Sequence, residues 1–517
     1  MPRVAALVME HFLQKINYKY NIRGWLTHIN ELNHLDAHPG QFDDLFAFKI
    51  NYNTVDNSLN DKIKPLYNGN ISETFWQTAS DGHIRKYGYK YDQINRLQEA
   101  IFQRPGFSPL EYNSYNESLW YDKNGNITRL YRTGEVEDAM EYLEIDDLTY
   151  LYDDVNKNQL RIVDDSTNNP KGFKDDDTDP DPLAIDDTID YDYDDYGNMI
   201  SDTNKGISEI TYNHLNLPIK IVLSNGIIEY LYNAAGVKVQ KTVTLDSEIH
   251  TTDYQSGYQY KDGQLQFFPH AEGYVNVLEE NYFNYVYHYT DHLGNIRVSY
   301  GIDPESFDLV ILEENHYYPF GMKHANYNVG MRTYIRNNMG QIELPLVSEV
   351  SYKYKYNGKE WQDELSLNWY DYQARNYDPA LGRWMNIDPL AEVSRRWSPY
   401  TYCYNNPIVF VDPDGMLATP SDDIYLNARN GEVLGVDADG NNGIVRVIDG
   451  VDWDDTVARN GGSTSGASTT ELRNSSSVVT VNDAQIQSDI NSANNETIGD
   501  QTKERQVYIG LSVNMDG

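Results

Sequence analysis

Asp388 and Asp412 are the residues of this sequence whose type and setting could carry out a reaction. Two carboxylates close enough to share one proton divide the labour of peptide hydrolysis, one activating water while the other polarises the scissile carbonyl. Both stand directly before a proline, as does Asp378. Proline stiffness and aspartate turn chemistry account for the Tyr-Asp-Pro at Asp378, which makes it the weakest of the three. Taken singly, each aspartate is equally a turn or cap residue. Arg383 and Arg375 offer charge balance for the pair, and both have structural partners within reach in Asp371 and Asp378. His316 has no Ser or Cys at a recognisable spacing and reads as a packed or surface histidine. Cys403, in the aromatic run YTYCYNN, reads as a small packed residue.

These residues crowd into 352–416, a stretch ending in Asp-Pro-Asp-Gly-Met, after which the aromatic-rich composition stops. Such a stretch reads as a device that closes one structure and releases another. The elements that must position it lie upstream. From Tyr20 to Gly236 a tyrosine is followed, four positions on, by glycine or asparagine: Tyr20-Gly24, Tyr91-Asn95, Tyr121-Gly125, Tyr152-Asn156, Tyr193-Gly197, Tyr212-Asn216 and Tyr232-Gly236. A variant with one extra residue occurs at Tyr289 and Gly294. Glycine and asparagine share tolerance of the left-handed backbone of tight hairpin turns. Alternating apolar and polar residues follow each turn, as in the run from Asn126 to Leu130. The tyrosine before each turn is expected to stack on a same-face neighbour. An array of such units, each needing its neighbours, predicts an all-β fold: an antiparallel hairpin strip.

Composition excludes several functions. The 517 residues carry a net charge of −38, which argues against nucleic-acid or anionic-membrane binding. The mean hydropathy of −0.66 beside 44 tyrosines suits a thin wall with two partly wet faces. One cysteine excludes an internal disulfide framework, and no apolar run approaches a membrane span. No secretory signal is read in the opening residues. The acidic tract at 164–195 lacks the spacing of a calcium loop and reads as a solvated connection, so no metal and no other cofactor is expected. Residues 417–517 contain neither histidine nor cysteine, which excludes zinc-deaminase, HNH-nuclease and histidine-triad chemistry there. Their serine- and glycine-rich run at 461–477 reads as linker.

The segment 352–416 resembles the RHS repeat-associated core of RHS/YD-repeat, polymorphic-toxin proteins, in which YDPxxGRW, a following DP and NNPxxxxDPDG occur in this order. The upstream units resemble YD repeats, Tyr121-Asp122 with Gly125 and Tyr232 with Gly236 most closely. The resemblance implies a strip curled into a shell around a C-terminal effector, with the core plugging one end. It divides the chain into repeat sheet (1–281), core (282–416) and a variable region (417–517) expected to be incomplete cargo of a longer or split protein. It also implies self-cleavage after Met416, within a motif made of Pro407, Asp412, Pro413, Asp414, Gly415 and Met416, with Asp388 and Asp412 as the catalytic pair and Arg383 and Asp378 as support. Its implied partners are the chain's own cargo, other RHS segments, an immunity protein and a delivery apparatus. The implied location is secreted or cell-surface. Two other readings stay open: a non-enzymatic adhesive protein binding glycan or a neighbouring cell through the tyrosine-rich sheet, and a degenerate fragment without activity.

Overall fold

The computed structural model describes residues 13–420, except 22–24, 36–42, 57–61, 107–113, 135–142, 177–187, 280–281, 326–330, 338, 340 and 348–349. Beyond them it describes 424–427, 433–436, 445–448, 452–453, 456 and 477–478. The fold is the expected all-β array. Ten strands from Tyr18–Tyr20 to Leu160–Asp165 make one sheet, each paired with its neighbours in sequence. Thirteen more, from Tyr191–Tyr193 to Leu309–Glu314, make a second in the same unbroken order. Sequential antiparallel pairing is what short turns and alternating strands produce. The sheets part at the acidic tract but still abut, because the Asp190 amide donates to the Arg161 carbonyl at 2.9 Å and its carboxylate accepts the Val163 amide at 2.8 Å. The boundary expected at residue 281 falls inside the second sheet, where Gly273–Glu279 pairs with Tyr282–Thr290.

The turns show how the repeat works. Asn95, Gly125, Gly197, Asn216, Gly236 and Gly294 all have positive φ, between 58° and 87°. In each described four-residue unit the residue after the tyrosine is Asp or Asn, and its side-chain oxygen collects two turn amides. Asp122 accepts from Asn124 and Asn126 at 2.8 and 2.9 Å, and Asn213 accepts from Leu215 and Leu217 at 2.8 and 3.1 Å. In the longer variant Asp291 takes the same part, accepting from Leu293 and Asn295, so the extra residue is Thr290 and the turn itself is unchanged. The Tyr152-Asn156 unit differs: its turn runs on to Gln159, whose amide donates to Asn156 at 2.7 Å. The Tyr20-Gly24 turn lies outside the described residues.

The repeat tyrosines act through their hydroxyls. Tyr121 donates its hydroxyl to the Leu97 carbonyl at 2.5 Å, Tyr152 to Ile127 at 2.7 Å, Tyr212 to Met199 at 2.6 Å and Tyr232 to Pro218 at 3.0 Å. Each acceptor lies two residues past the left-handed residue of the preceding turn. The hydroxyl thus ties one hairpin to the next, which phenylalanine could not do.

Segment 352–416 lies across this row of turns. The Asn124 carbonyl accepts from the Ser398 amide at 2.9 Å, Gly125 from Asn405 at 2.7 Å, Asn158 from Arg383 at 3.2 Å, Gly197 from Tyr400 at 2.7 Å and Asn216 from Asn386 at 3.1 Å. A buried ion cluster adds to the seam: Glu360 accepts from Lys238 at 2.7 Å and from Lys241 at 2.9 Å. The second sheet also returns on the first through side chains, as Thr78 and Ser80 donate to Glu314 at 2.8 and 2.5 Å. Past the core, Thr419–Pro420 pairs with Phe410–Val411, and a small sheet of four short strands follows that includes the parallel pair Ile424–Asn427 and Val445–Ile448.

Candidate functional site

The Asp388–Asp412 region is organised by an arginine. Arg375 sits in the tight connection between Trp369–Asp371 and Asn376–Asp378, its guanidinium buried and stacked 4.1 Å from the Trp384 ring. It reaches Asp412 at 2.9 Å, Asp388 at 3.3 Å and the Gly415 carbonyl at 2.5 Å. Delocalised charge on a planar fork suits it to three acceptors at once.

Asp412 is buried at 1 % exposure, and its second oxygen accepts the amides of Gly415 and Met416 at 2.8 and 3.0 Å. That fixes Asp-Pro-Asp-Gly-Met as a closed turn. Gly415 is required twice over: its φ is +79°, and a Cβ there would lie 2.9 Å from both the Tyr372 carbonyl and the Arg375 amide. Asp414 is exposed, accepts the Met416 amide at 3.1 Å and gives its carbonyl to Ala374 at 3.1 Å. Lys359 donates to the Pro413 carbonyl at 2.6 Å. Met416 is 38 % exposed, at the open side of the turn.

Asp388 is the more accessible carboxylate. One of its oxygens accepts the Leu390 amide at 2.7 Å, and its own amide donates to Pro399 at 3.0 Å. Burial raises its carboxyl above the ordinary aspartate value, with Arg375 pulling the other way. Burial raises Asp412 likewise, again against Arg375. Burial lowers Arg375 itself. The two aspartates share this cation and not a hydrogen bond, which departs from the proton-sharing pair expected.

Cys403 is buried, its thiol pushed far up by burial and then by Asp412, so it is inert as expected. Pro407 is buried behind Asn405 and Asn406, whose amides hold Gly125 and Asn70. His316 is packed against Glu314 at 2.6 Å. Among the described residues no group of three or more His, Cys, Asp and Glu could hold a metal ion.

No protein-family model matches the chain. It is 33% identical over 137 residues to Toxin subunit YenC2 of Yersinia entomophaga, covering 26% of this chain and 12% of that protein. It is 24% identical over 366 residues to tRNA3(Ser)-specific nuclease WapA of Bacillus spizizenii, covering 67% of this chain and 11% of that protein. A stretch of 87 residues is 37% identical to Salivary gland surface protein 1 of Aedes aegypti, 17% of this chain and 2% of that protein. These similarities support an RHS-type, polymorphic-toxin-like protein.

The chain spans between 2% and 12% of the length of those relatives. Among solved structures, the crystal structure of TcdB2-TccC3 aligns with 78% of it and 20% of that chain, at 15% identity and a TM-score of 0.45. The Photorhabdus luminescens Tc holotoxin pore aligns over 78% of it and 19% of that chain, at 16% identity and the same TM-score.

Within segment 352–416, the two residues expected in support lie elsewhere. Asp378 is buried with its carboxylate held by Lys205 at 3.0 Å, the Trp369 indole at 3.1 Å and the Ala380 amide at 2.9 Å. Arg383 points to the repeat sheet, donating to the Tyr152 hydroxyl at 3.2 Å and lying 5.0 Å from the Tyr400 ring. Strand pairing places these two opposite one another and commits both to the seam. The cations that contact the Asp412 turn are Arg375 and Lys359 instead. Arg375 was legible as a candidate, whereas nothing in the Asn-Gly-Lys-Glu sequence marked Lys359.

Proposed function

We propose that this RHS protein forms the enclosing sheet of a toxin-like protein and frees its own C-terminal region by hydrolysis after Met416. The observation that carries the reading is the convergence of Asp388, Asp412 and the Gly415 carbonyl on one buried guanidinium. Asp388 takes a proton from water as the oxygen adds to the Met416 carbonyl carbon. The bond to Leu417 then breaks as Asp388 returns that proton to the leaving nitrogen, giving a free amine at Leu417 and a carboxylic acid at Met416. Asp412 holds the Gly415 and Met416 amides, so the bond is presented in one conformation. The similarity to a protein named as a toxin subunit supports the toxin-related setting. A secreted or cell-surface location, an enclosed cargo and partners in an immunity protein and a delivery apparatus belong to the same reading. Among the described residues no helix is long and apolar enough to cross a membrane.

Intact-mass measurement of the purified chain tests it. Two fragments meeting at Met416–Leu417 are expected, with Asp388→Asn leaving a single 517-residue species. A wild-type chain that stays whole overturns the reading.

A second reading, adhesion through the sheet, is favoured by one feature. Tyr258, Phe268 and Phe283 form an outer row with ring centres 5.1 and 6.1 Å apart, and Phe283 and the nearby Tyr285 are 51 % and 57 % exposed. Glycan-array binding by the uncut chain, lost on Phe283→Ala, would favour it.

A further inference from the structure

Lys359 is a half-buried cation that the hydrolysis above does not use. The left-handed Asn357-Gly358 pair turns the chain so that the Lys359 ammonium meets the Pro413 carbonyl at 2.6 Å, 5.3 Å from the Tyr372 ring. Its turn is locked from both sides. The Lys359 amide donates to Tyr356, the Lys355 amide donates to the Lys359 carbonyl, and Asn357 accepts the hydroxyls of Tyr372 and Tyr402 at 2.6 Å each. The acidic groups facing its ammonium are Asp371, Asp412 and Asp414, and burial lowers its pKa against their pull.

The turn 412–416 is therefore held by three kinds of contact. Asp412 gathers the amides of Gly415 and Met416, Arg375 holds the Gly415 carbonyl, and Lys359 holds the Pro413 carbonyl. The first two fix only the downstream half of the turn. Lys359 anchors the upstream half, and among the described residues it is the side chain seen to reach the Pro413 carbonyl.

We propose that Lys359 is a positioning residue for self-cleavage, clamping the Pro413 carbonyl so that the bond after Met416 is held against Asp388. This rests on the hydrolysis reading above. An ångström of misplacement between reacting atoms costs on the order of 100-fold in rate, so loss of one of the clamps is a kinetic event before it is a folding one. The ammonium also offsets the charge of Asp412 and Asp414. Its removal should therefore favour protonation of Asp412, whose carboxylate holds the Gly415 and Met416 amides, and so move the acid limb of the cleavage rate to higher pH, which loss of packing alone would not do.

The test is a time course of cleavage of the full chain after cell-free synthesis, read by intact mass at several pH values, for wild type, Lys359→Met and Lys359→Arg. Melting temperatures are compared in the uncleaved Asp388→Asn background. Cleavage slowed at least about 10-fold in Lys359→Met, with its acid limb shifted upward and Lys359→Arg retaining most of the rate and the wild-type limb, supports the proposal. Lys359→Met cutting at the wild-type rate overturns it while leaving the hydrolysis reading intact. Slowing with an unmoved acid limb, alongside a melting temperature lowered to the assay temperature, also overturns it. A wild-type chain that never cuts overturns both.

Discussion

Arg375 and Asp412 meet at 2.9 Å with both side chains all but excluded from solvent. A pair so placed has to satisfy its remaining valences locally, and it does. Asp412 takes two backbone amides, and Arg375 takes Asp388, a backbone carbonyl and the face of Trp384. The contact joins two parts of the core whose partners lie 37 residues apart in sequence.

Removing the cation in the uncleaved Asp388→Asn background should leave the buried Asp412 carboxylate without compensation. Arg375→Met is expected to lower stability by about 3–5 kcal/mol, measured by urea unfolding in the uncleaved Asp388→Asn background. It should also abolish cleavage. Arg375→Lys should restore neither fully, because a single ammonium cannot span Asp388, Asp412 and the Gly415 carbonyl. A variant as stable as its parent would show that the charges are not compensated by this arginine.

Gly415→Ala sets a Cβ against backbone on two sides at a left-handed residue. The turn must open to accept it, so cleavage should fall at least about 10-fold while the repeat sheet keeps its circular dichroism. Unchanged cleavage kinetics would mean that the closed turn is not the reacting conformation.

Asp202 gives the strip a pH dependence. It is fully buried, one of its oxygens has no hydrogen-bond partner among the described residues, and burial pushes its carboxyl up to about 7 despite Lys205. A carboxyl raised in the folded state binds more protons folded than unfolded. Its stabilising contribution is whole below the ordinary aspartate value of 3.8 and is lost as pH rises through about 7. Stability should therefore fall between pH 5 and pH 8 by up to roughly 1.4 kcal/mol per pH unit from this group. In Asp202→Asn that part of the slope should vanish; an identical slope would assign it to other groups.

The tyrosine ladder predicts a graded effect. Tyr152→Phe and Tyr212→Phe each remove a hydroxyl donated to a carbonyl of the preceding hairpin, at a cost of about 1 kcal/mol. Tyr196→Phe, at a side chain 74 % exposed, should leave the thermal midpoint where it was. Equal shifts at all three positions would refute the ladder.

How much of this could be read beforehand depends on sequence distance. The left-handed turn residues were legible because Gly and Asn recur at one offset from tyrosine, and the structure gives Asn95, Gly125 and Asn216 that backbone. The aspartate or asparagine that gathers the turn amides stood in plain view, but it was the longer Asp291 turn that revealed it as the register mark. The hydroxyl ladder was hidden because Tyr152 and Ile127 become neighbours only when whole hairpins stack. At the site, Asp388 and Asp412 announced themselves through their prolines. The choice between Arg375 and Arg383 turned on strand pairing: Asp378 faces Arg383 across a hairpin, leaving Arg375 to turn toward Asp412. Lys359 could not be found at all, since 54 residues separate it from the carbonyl it holds.

The seam between residues 383–405 and the row of turns has a further meaning. One continuous stretch touches hairpins formed independently of each other, so it behaves as a ruler laid across the ends of the strip. A hairpin slipped by one residue would carry its turn carbonyl out of reach and turn its side chains to the opposite face. The ruler fits only a strip in which every hairpin is already in register. Because the chain runs on from this stretch into the Asp412 turn, the proposed cleavage machinery would be assembled only on a wall that has been correctly built.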